Sequence, residues 1–314
     1  MNKEPEIISE IIPTEVKNIR KISVLIPEAN EFLLWASSMG AKVSSENWII
    51  RTIRGYEKLE SSSEEDFQHK YTNIFPNTGE LQYNLVDFLH LGQIMTNIGD
   101  QDKSLLAEKL TDLVKGPNSL LEESPSNNNT KSRNIRFELF VAATMNAHGY
   151  TAVLTDPNPD ILLKRQGKSA GVECKRAYSY KSLFPLINEA NSQFEKRAGN
   201  KFLNANILAF DVTRTITEGT FHLSGDPIIA SKNAAELLHE LSKEIINQFR
   251  LGKYRNIDIV MLYYIDHVQP DSTQAFTIHG LTQTHVFDNP KALRKRRRYG
   301  LNFLLFMAKN KGAL

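Results

Sequence analysis

Residues 159–176 read PDILLKRQGKSAGVECKR, two apolar segments joined at Gln166-Gly167-Lys168. β-branched and aliphatic residues on either side of a glycine-containing step predict a β-hairpin. Asp160, Glu173 and Lys175 stand among these apolar residues. Charges inside a buried element are costly unless they are paired or hold a metal, so the hairpin decides how the rest of the chain is read.

A two-residue type II′ turn prefers glycine at its first central position, which selects Gly167-Lys168 and pairs Gln166 with Ser169. Counting outward, Asp160 falls opposite Lys175. Opposed residues share a face, as do residues two apart on one strand. Asp160, Glu173 and Lys175 then project together. A one-residue slip would move Asp160 to the other face, and a three-residue turn would need a bulge to restore the arrangement.

Two carboxylates and an ammonium gathered in this way suit phosphodiester hydrolysis. Mg²⁺ takes one or two protein carboxylates and completes its shell with water and phosphate oxygens. A bound cation polarises the phosphorus centre and lowers the pKa of a coordinated water. The Lys175 ammonium can orient or deprotonate that water, or offset charge on the phosphate. The backbone carbonyl of Cys174 offers a further ligand. The competing explanation is a salt-bridged strand, since Glu-x-Lys occurs often by chance.

The flanking segments sharpen the choice. Residues 133–150, RNIRFELFVAATMNAHGY, read as a helix ended by Gly149 and apolar almost all round between Phe137 and Ala147. Such a helix is buried on most sides, and Glu138 within it requires a nearby cation. A strand over 150–154 and the loop 155–159 lead into the hairpin. A helix follows over 182–198, with Leu186, Ala190 and Phe194 on one face, and then a strand over 205–212.

This order, a helix bearing Glu138, a strand, Pro159-Asp160, Glu173-Cys174-Lys175, a helix and a strand, resembles the core of the PD-(D/E)XK nuclease superfamily, the restriction-endonuclease-like fold. The resemblance covers about residues 131–213. It implies that Asp160 and Glu173 bind Mg²⁺, for which Mn²⁺ can substitute, and that Lys175 is catalytic. By the same resemblance Glu138 is a metal ligand or supports one, and Gln193 and Lys196 on the following helix are candidates to face the substrate. The superfamily is diverse, and membership names no substrate.

Outside this core the chain divides into three parts. Residues 1–124 read as a mainly helical region, clearest over 104–115, where Leu106, Leu110, Leu113 and Val114 recur at helical spacing before Gly116-Pro117. The region holds no catalytic constellation and suits packing, dimerisation or substrate positioning. The Ser-, Asn- and Pro-rich segment 125–132 reads as a linker. Residues 133–314 form the nuclease-like domain, with a core over 133–213 and an extension over 214–314. A helix over 233–250 and strands over 257–265 and 273–286 are expected in that extension. Strands alternating with helices predict an α/β fold with a mixed sheet flanked by helices.

The extension also carries Lys291-Ala292-Leu293-Arg294-Lys295-Arg296-Arg297-Arg298, six cations in eight residues of a chain whose net charge is only +2. Such a run neutralises backbone phosphates without reading sequence, and Arg294, Arg296, Arg297 and Arg298 are expected to bind substrate. Gly167-Lys168-Ser169 is not the end of a phosphate-binding P-loop: Leu162 stands where that motif requires glycine, and the context is strand-turn-strand.

With one cysteine, Cys174, the chain has neither an internal disulfide nor a cysteine-rich zinc site. No HExxH spacing occurs. No signal-peptide core or span-length apolar run is present, so a cytoplasmic location away from membranes is expected. The reading is a Mg²⁺-dependent endonuclease acting on DNA in restriction, phage defence or DNA processing, with a homodimer as one arrangement suited to double-strand cutting. RNA remains an open alternative substrate. The alternative function is a nucleic-acid-binding or regulatory protein on the same fold without turnover, although such proteins usually lack an acid or the lysine.

Overall fold

The computed structural model describes residues 9–12, 18–60, 73, 80–117, 122–124, 129–156, 159–197, 203–217, 227–268 and 277–288. In chain order the elements are β1 (Ser9–Ile12), β2 (Asn18–Lys21), α1 (Ile22–Ser38), α2 (Trp48–Glu60), α3 (Glu80–Asn97), α4 (Lys103–Val114) and α5 (Lys131–Ala147). Then come β3 (Thr151–Leu154), β4 (Ile161–Arg165), β5 (Lys168–Arg176), α6 (Tyr180–Lys196), β6 (Ala205–Asp211), α7 (Thr213–Thr217), α8 (Pro227–Arg250), β7 (Ile259–Val268) and β8 (Thr277–Asp288). The expected α/β class with a mixed open sheet is what the structure shows. The basic run 291–298, with Arg294, Arg296, Arg297 and Arg298, lies outside the described residues.

The sheet has eight strands in the order β1-β8-β7-β6-β5-β4-β3, with β2 also pairing β8. β5, β6 and β7 run parallel, and the other pairings are antiparallel. The two N-terminal strands are absent from the helical reading of residues 1–124. They are four residues each, too short for a period-two pattern to stand out, and gain their hydrogen bonds from the distant strand β8.

Strand alternation divides the interior into two layers. Ala170 and Val172 of β5, Ile207 and Ala209 of β6, and Ile259, Met261 and Tyr263 of β7 pack in one core with α1–α5. Leu208 and Phe210 of β6, and Val260, Leu262 and Tyr264 of β7, pack in the other with α6 and α8. In α6 the buried stripe is Leu183, Ile187, Ala190 and Phe194, displaced from the expected Leu186. Leu186 sits at its margin.

The first core crosses the expected linker. Leu25, Phe32, Trp48, Phe88 and Leu110 from the N-terminal helices join Leu139, Phe140 and Val141 of α5 in one cluster. Buried charges tie the same parts together. Asp87 of α3 receives Arg133 Nε at 2.9 Å and pairs with Arg136 at 2.5 Å, both from α5. The helical region is therefore one wall of the layer beneath the sheet.

Candidate metal and phosphodiester site

The hairpin turn differs from the expected one. Arg165 pairs with Lys168, leaving Gln166 and Gly167 as the central residues, with φ of 48° and 72°. Positive φ at both positions is the type I′ requirement, and that turn matches the twist of the strands it joins. The turn moves by one residue, so the register moves by two. Face is set by parity, and the projection of Asp160, Glu173 and Lys175 to one side is unchanged. Their pairing is not: the register ends at Ile161–Val172, and its next position sets Asp160 against Glu173 instead of Lys175.

Several contacts fix Asp160 at the end of this ladder. Its Oδ2 accepts the Cys174 N–H at 2.7 Å, and its carbonyl accepts the Thr155 N–H at 3.1 Å. The Thr155 hydroxyl donates to the Pro159 carbonyl. In an extended strand the N–H and C=O of one residue point the same way, so the Cys174 carbonyl lies on the Asp160 side of β5. The Cys174 thiol packs against the first core, and burial pushes its pKa up. Only its backbone is suited to a hard cation.

Glu173 and Lys175 pair with Leu208 and Phe210 across β5–β6 and so lie on the α6 side of the sheet. The Glu173 side chain is fully buried, its Oε1 accepting from Arg197 and its Oε2 3.8 Å from Lys175 Nζ. Lys175 Nζ donates to Glu189 Oε1 at 2.8 Å. Glu138 lies in the other layer, on α5, with Oε1 2.7 Å from Lys109 Nζ of α4. The cation that a buried Glu138 demands is thus supplied by the N-terminal region.

The electrostatics join these carboxyls into one group. Burial, then the Asp160 charge, push Glu173 up to about 7, against Arg197 and Lys175. Burial and Asp160 likewise push Glu138 up to about 7, against Lys109. Burial raises Asp160 as well, opposed by the Cys174 N–H and Lys175. Like charges held together out of water cannot all ionise freely.

The remaining expected residues separate. Gln193 is half-buried, and its Oε1 is buried without a hydrogen bond. Lys196 is exposed. Arg197, the next residue, pairs with Glu173. Glu189, Gln193 and Arg197 are four residues apart, the spacing that lines up side chains along one side of a helix. That spacing was available in the sequence. The Lys109 contact was not, because it joins helices whose packing no local pattern specifies.

A second buried network secures the end of β5. Arg176 Nε donates to Asp211 Oδ2 at 3.1 Å, and its NH1 to Glu123 Oε1 at 3.1 Å. The Tyr178 hydroxyl donates to Asn134 Oδ1 at 2.9 Å. Asp211 also accepts the Thr213 N–H at 3.0 Å through Oδ1. His148 contacts the Thr144 carbonyl at 2.8 Å through Nδ1, a structural contact. Lys175 therefore stands on a strand whose next residue is anchored to α5, β6 and the end of the N-terminal region.

The donors on this face are oxygens, the ligand type that hard cations such as Mg²⁺ take. Among the described residues no three His, Cys, Asp or Glu side chains form a ready-made ligand cluster. Glu173 Oε2 is nevertheless buried with no hydrogen bond. Together with Asp160 and the Cys174 carbonyl it offers a small all-oxygen set, as Mg²⁺ requires when water and phosphate complete the shell. A cavity of about 470 Å³ lined by Lys42, Asn47, Arg51 and Lys115 shares no residue with this group.

No family model matches the chain, and no curated protein or solved structure matches it significantly. Among the described residues no helix is long and apolar enough to cross a membrane.

Proposed function

We propose that the protein is a Mg²⁺-dependent nuclease of the PD-(D/E)XK type, with DNA as its substrate. The observation that carries this reading is the buried Glu173 Oε2, without a hydrogen bond, beside the half-buried Asp160 carboxylate and a lysine on the same face of a strand pair. The nearest cation to Glu173 Oε2, Lys175 Nζ, stands 3.8 Å away, too far for a hydrogen bond, and a buried acceptor left unsatisfied costs on the order of 1–3 kcal/mol, a cost that a bound cation would remove.

In this reading Asp160, Glu173 and the Cys174 carbonyl hold the divalent cation. When bound, the cation supplies charge neutralisation at the phosphate and a water of lowered pKa. Lys175 presents its ammonium between Glu189 and Glu173, placed to hydrogen-bond the attacking water and to offset charge on the phosphorus oxygens. Glu138 lies behind the ligands and adjusts their charge through Asp160 and Glu173. Gln193 offers its amide to the substrate side. Arg294, Arg296, Arg297 and Arg298 serve as the phosphate-binding run that holds the backbone.

The test is incubation of the protein with supercoiled plasmid, single-stranded DNA and RNA, in Mg²⁺, Mn²⁺ or EDTA, beside a folded Lys175→Ala variant. Metal-dependent cutting of DNA that the variant lacks supports the proposal. Cutting of RNA alone would correct the substrate. No cutting and no divalent-cation binding would sink it.

A further inference from the structure

Arg197 is incompletely used. Its NH2 donates to Glu173, yet Nε and NH1 are buried without hydrogen bonds. Its side chain is only 11% exposed, and its guanidinium lies over the Phe194 ring, 5.5 Å from the centroid. One turn earlier, Gln193 Oε1 is also buried and unbonded. A guanidinium has five donors in a fixed fork, and burying most of them idle is unfavourable. Across the ion pair, Glu173 Oε2 accepts no hydrogen bond, and its nearest cation, Lys175 Nζ, is 3.8 Å away. One partner is thus half-ready for an anion and the other half-ready for a cation.

Resting on the nuclease reading, we infer that Arg197 is an exchangeable counter-ion that hands Glu173 to the divalent cation and takes the substrate phosphate in return. Without a divalent cation it neutralises Glu173. When the carboxylate is given to the cation, the guanidinium is released with its fork free, held over Phe194 and still directed into the site. A non-bridging phosphate oxygen pair matches that fork in a bidentate contact. Arg197 is a positioning residue for the cation and a binding residue for the phosphate. Its contact carries no base information, so it serves any phosphodiester sequence equally.

Two consequences follow. The cation alone binds weakly, because it must displace an ion pair. Cation and phosphodiester each tighten the other, and by the same factor.

The experiment measures Ca²⁺ binding calorimetrically to the full chain, alone and with a short DNA duplex, for wild type, Arg197→Gln and Arg197→Lys. Arg197→Gln should bind Ca²⁺ alone about tenfold more tightly than wild type, the change that about 1.4 kcal/mol produces. DNA should tighten Ca²⁺ binding to wild type by a similar factor and leave Arg197→Gln unmoved. Arg197→Lys keeps the charge without the fork and should resemble wild type with Ca²⁺ alone, while losing most of the DNA effect. The Arg197 Nε nitrogen resonance should shift when Ca²⁺ is added to wild type. Equal or weaker Ca²⁺ binding by a folded Arg197→Gln protein, with wild type binding normally, overturns the exchange and leaves the nuclease reading standing. Absence of Ca²⁺ binding by wild type overturns both.

Discussion

Asp160→Asn gives opposite results for a metal site and for a salt-bridged scaffold. In a scaffold, Asp160 would stabilise the fold by pairing with Lys175, and its loss would strand a cation. The structure pairs Lys175 with Glu189 and Glu173 instead, while Asp160 raises the pKa of both Glu173 and Glu138. Asparagine keeps an oxygen for the Cys174 N–H and removes the charge. Two unit charges at about 5 Å and an effective dielectric of about 20 interact by about 3 kcal/mol. Attraction of Asp160 to Lys175, Lys109 and Arg197 offsets part of this, leaving a net gain of about 1–2 kcal/mol, by the same electrostatics. The sign follows from linkage. A carboxyl whose folded pKa lies above its unfolded value favours the fold at low pH and loses that contribution as pH rises through the folded value. The metal-free variant should therefore be the more stable protein at pH 8 and equal to wild type near pH 4. Urea unfolding in EDTA at both pH values measures this, with the melting temperature at pH 8 rising by about 2–3 °C for a chain of this size. Divalent-cation binding and cutting should be lost together. A variant less stable than wild type at pH 8 by 1 kcal/mol or more would refute the reasoning and return the hairpin to a scaffold role.

Other outcomes follow from the same geometry. Lys175→Ala should lower the cutting rate by at least about 100-fold with divalent-cation affinity retained within a few-fold, measured by single-turnover cleavage and calorimetry. Lys109→Met removes the partner of Glu138, whose pKa is already about 7. Its stability should fall by about 2–3 kcal/mol at pH 8 and change little at pH 5, where a protonated Glu138 needs no cation. A Cβ at Gly171 would meet Pro159 at 3.3 Å and Leu203 at 3.1 Å, so Gly171→Ala should displace Asp160 and cost about tenfold or more in cutting while the fold persists. Gly167→Ala, at positive φ with open space around it, should cost about 1 kcal/mol of stability and leave cutting unchanged. Mg²⁺ should raise the melting temperature more at pH 8 than at pH 5.5, because Glu173 and Glu138 ionise near pH 7 and the cation offsets their charge.

Local pattern determined the middle of this protein. The run from α5 to β6 was legible because each element announces itself over a short window: an all-apolar helix around Glu138, glycine at the hairpin turn, and period-two alternation along β5. Even the misplaced turn left Asp160, Glu173 and Lys175 on one face, since moving a two-residue turn by one shifts the register by two. Tertiary structure alone decided how the charges pair. Setting Asp160 toward Glu173 makes a like-charged pair where the sequence suggested an ion pair, and sends Lys175 to Glu189. The strands β1 and β2 exist through hydrogen bonds to β8, more than 250 residues away in the chain. Lys109 meets Glu138 only because α4 packs on α5 within a core that spans the expected linker. The β1, β2 and Lys109 contacts join distant segments, and their energy comes from burial and charge compensation in the assembled layers. Asp160 and Glu173 share one hairpin, and there the turn position decides which charges face each other.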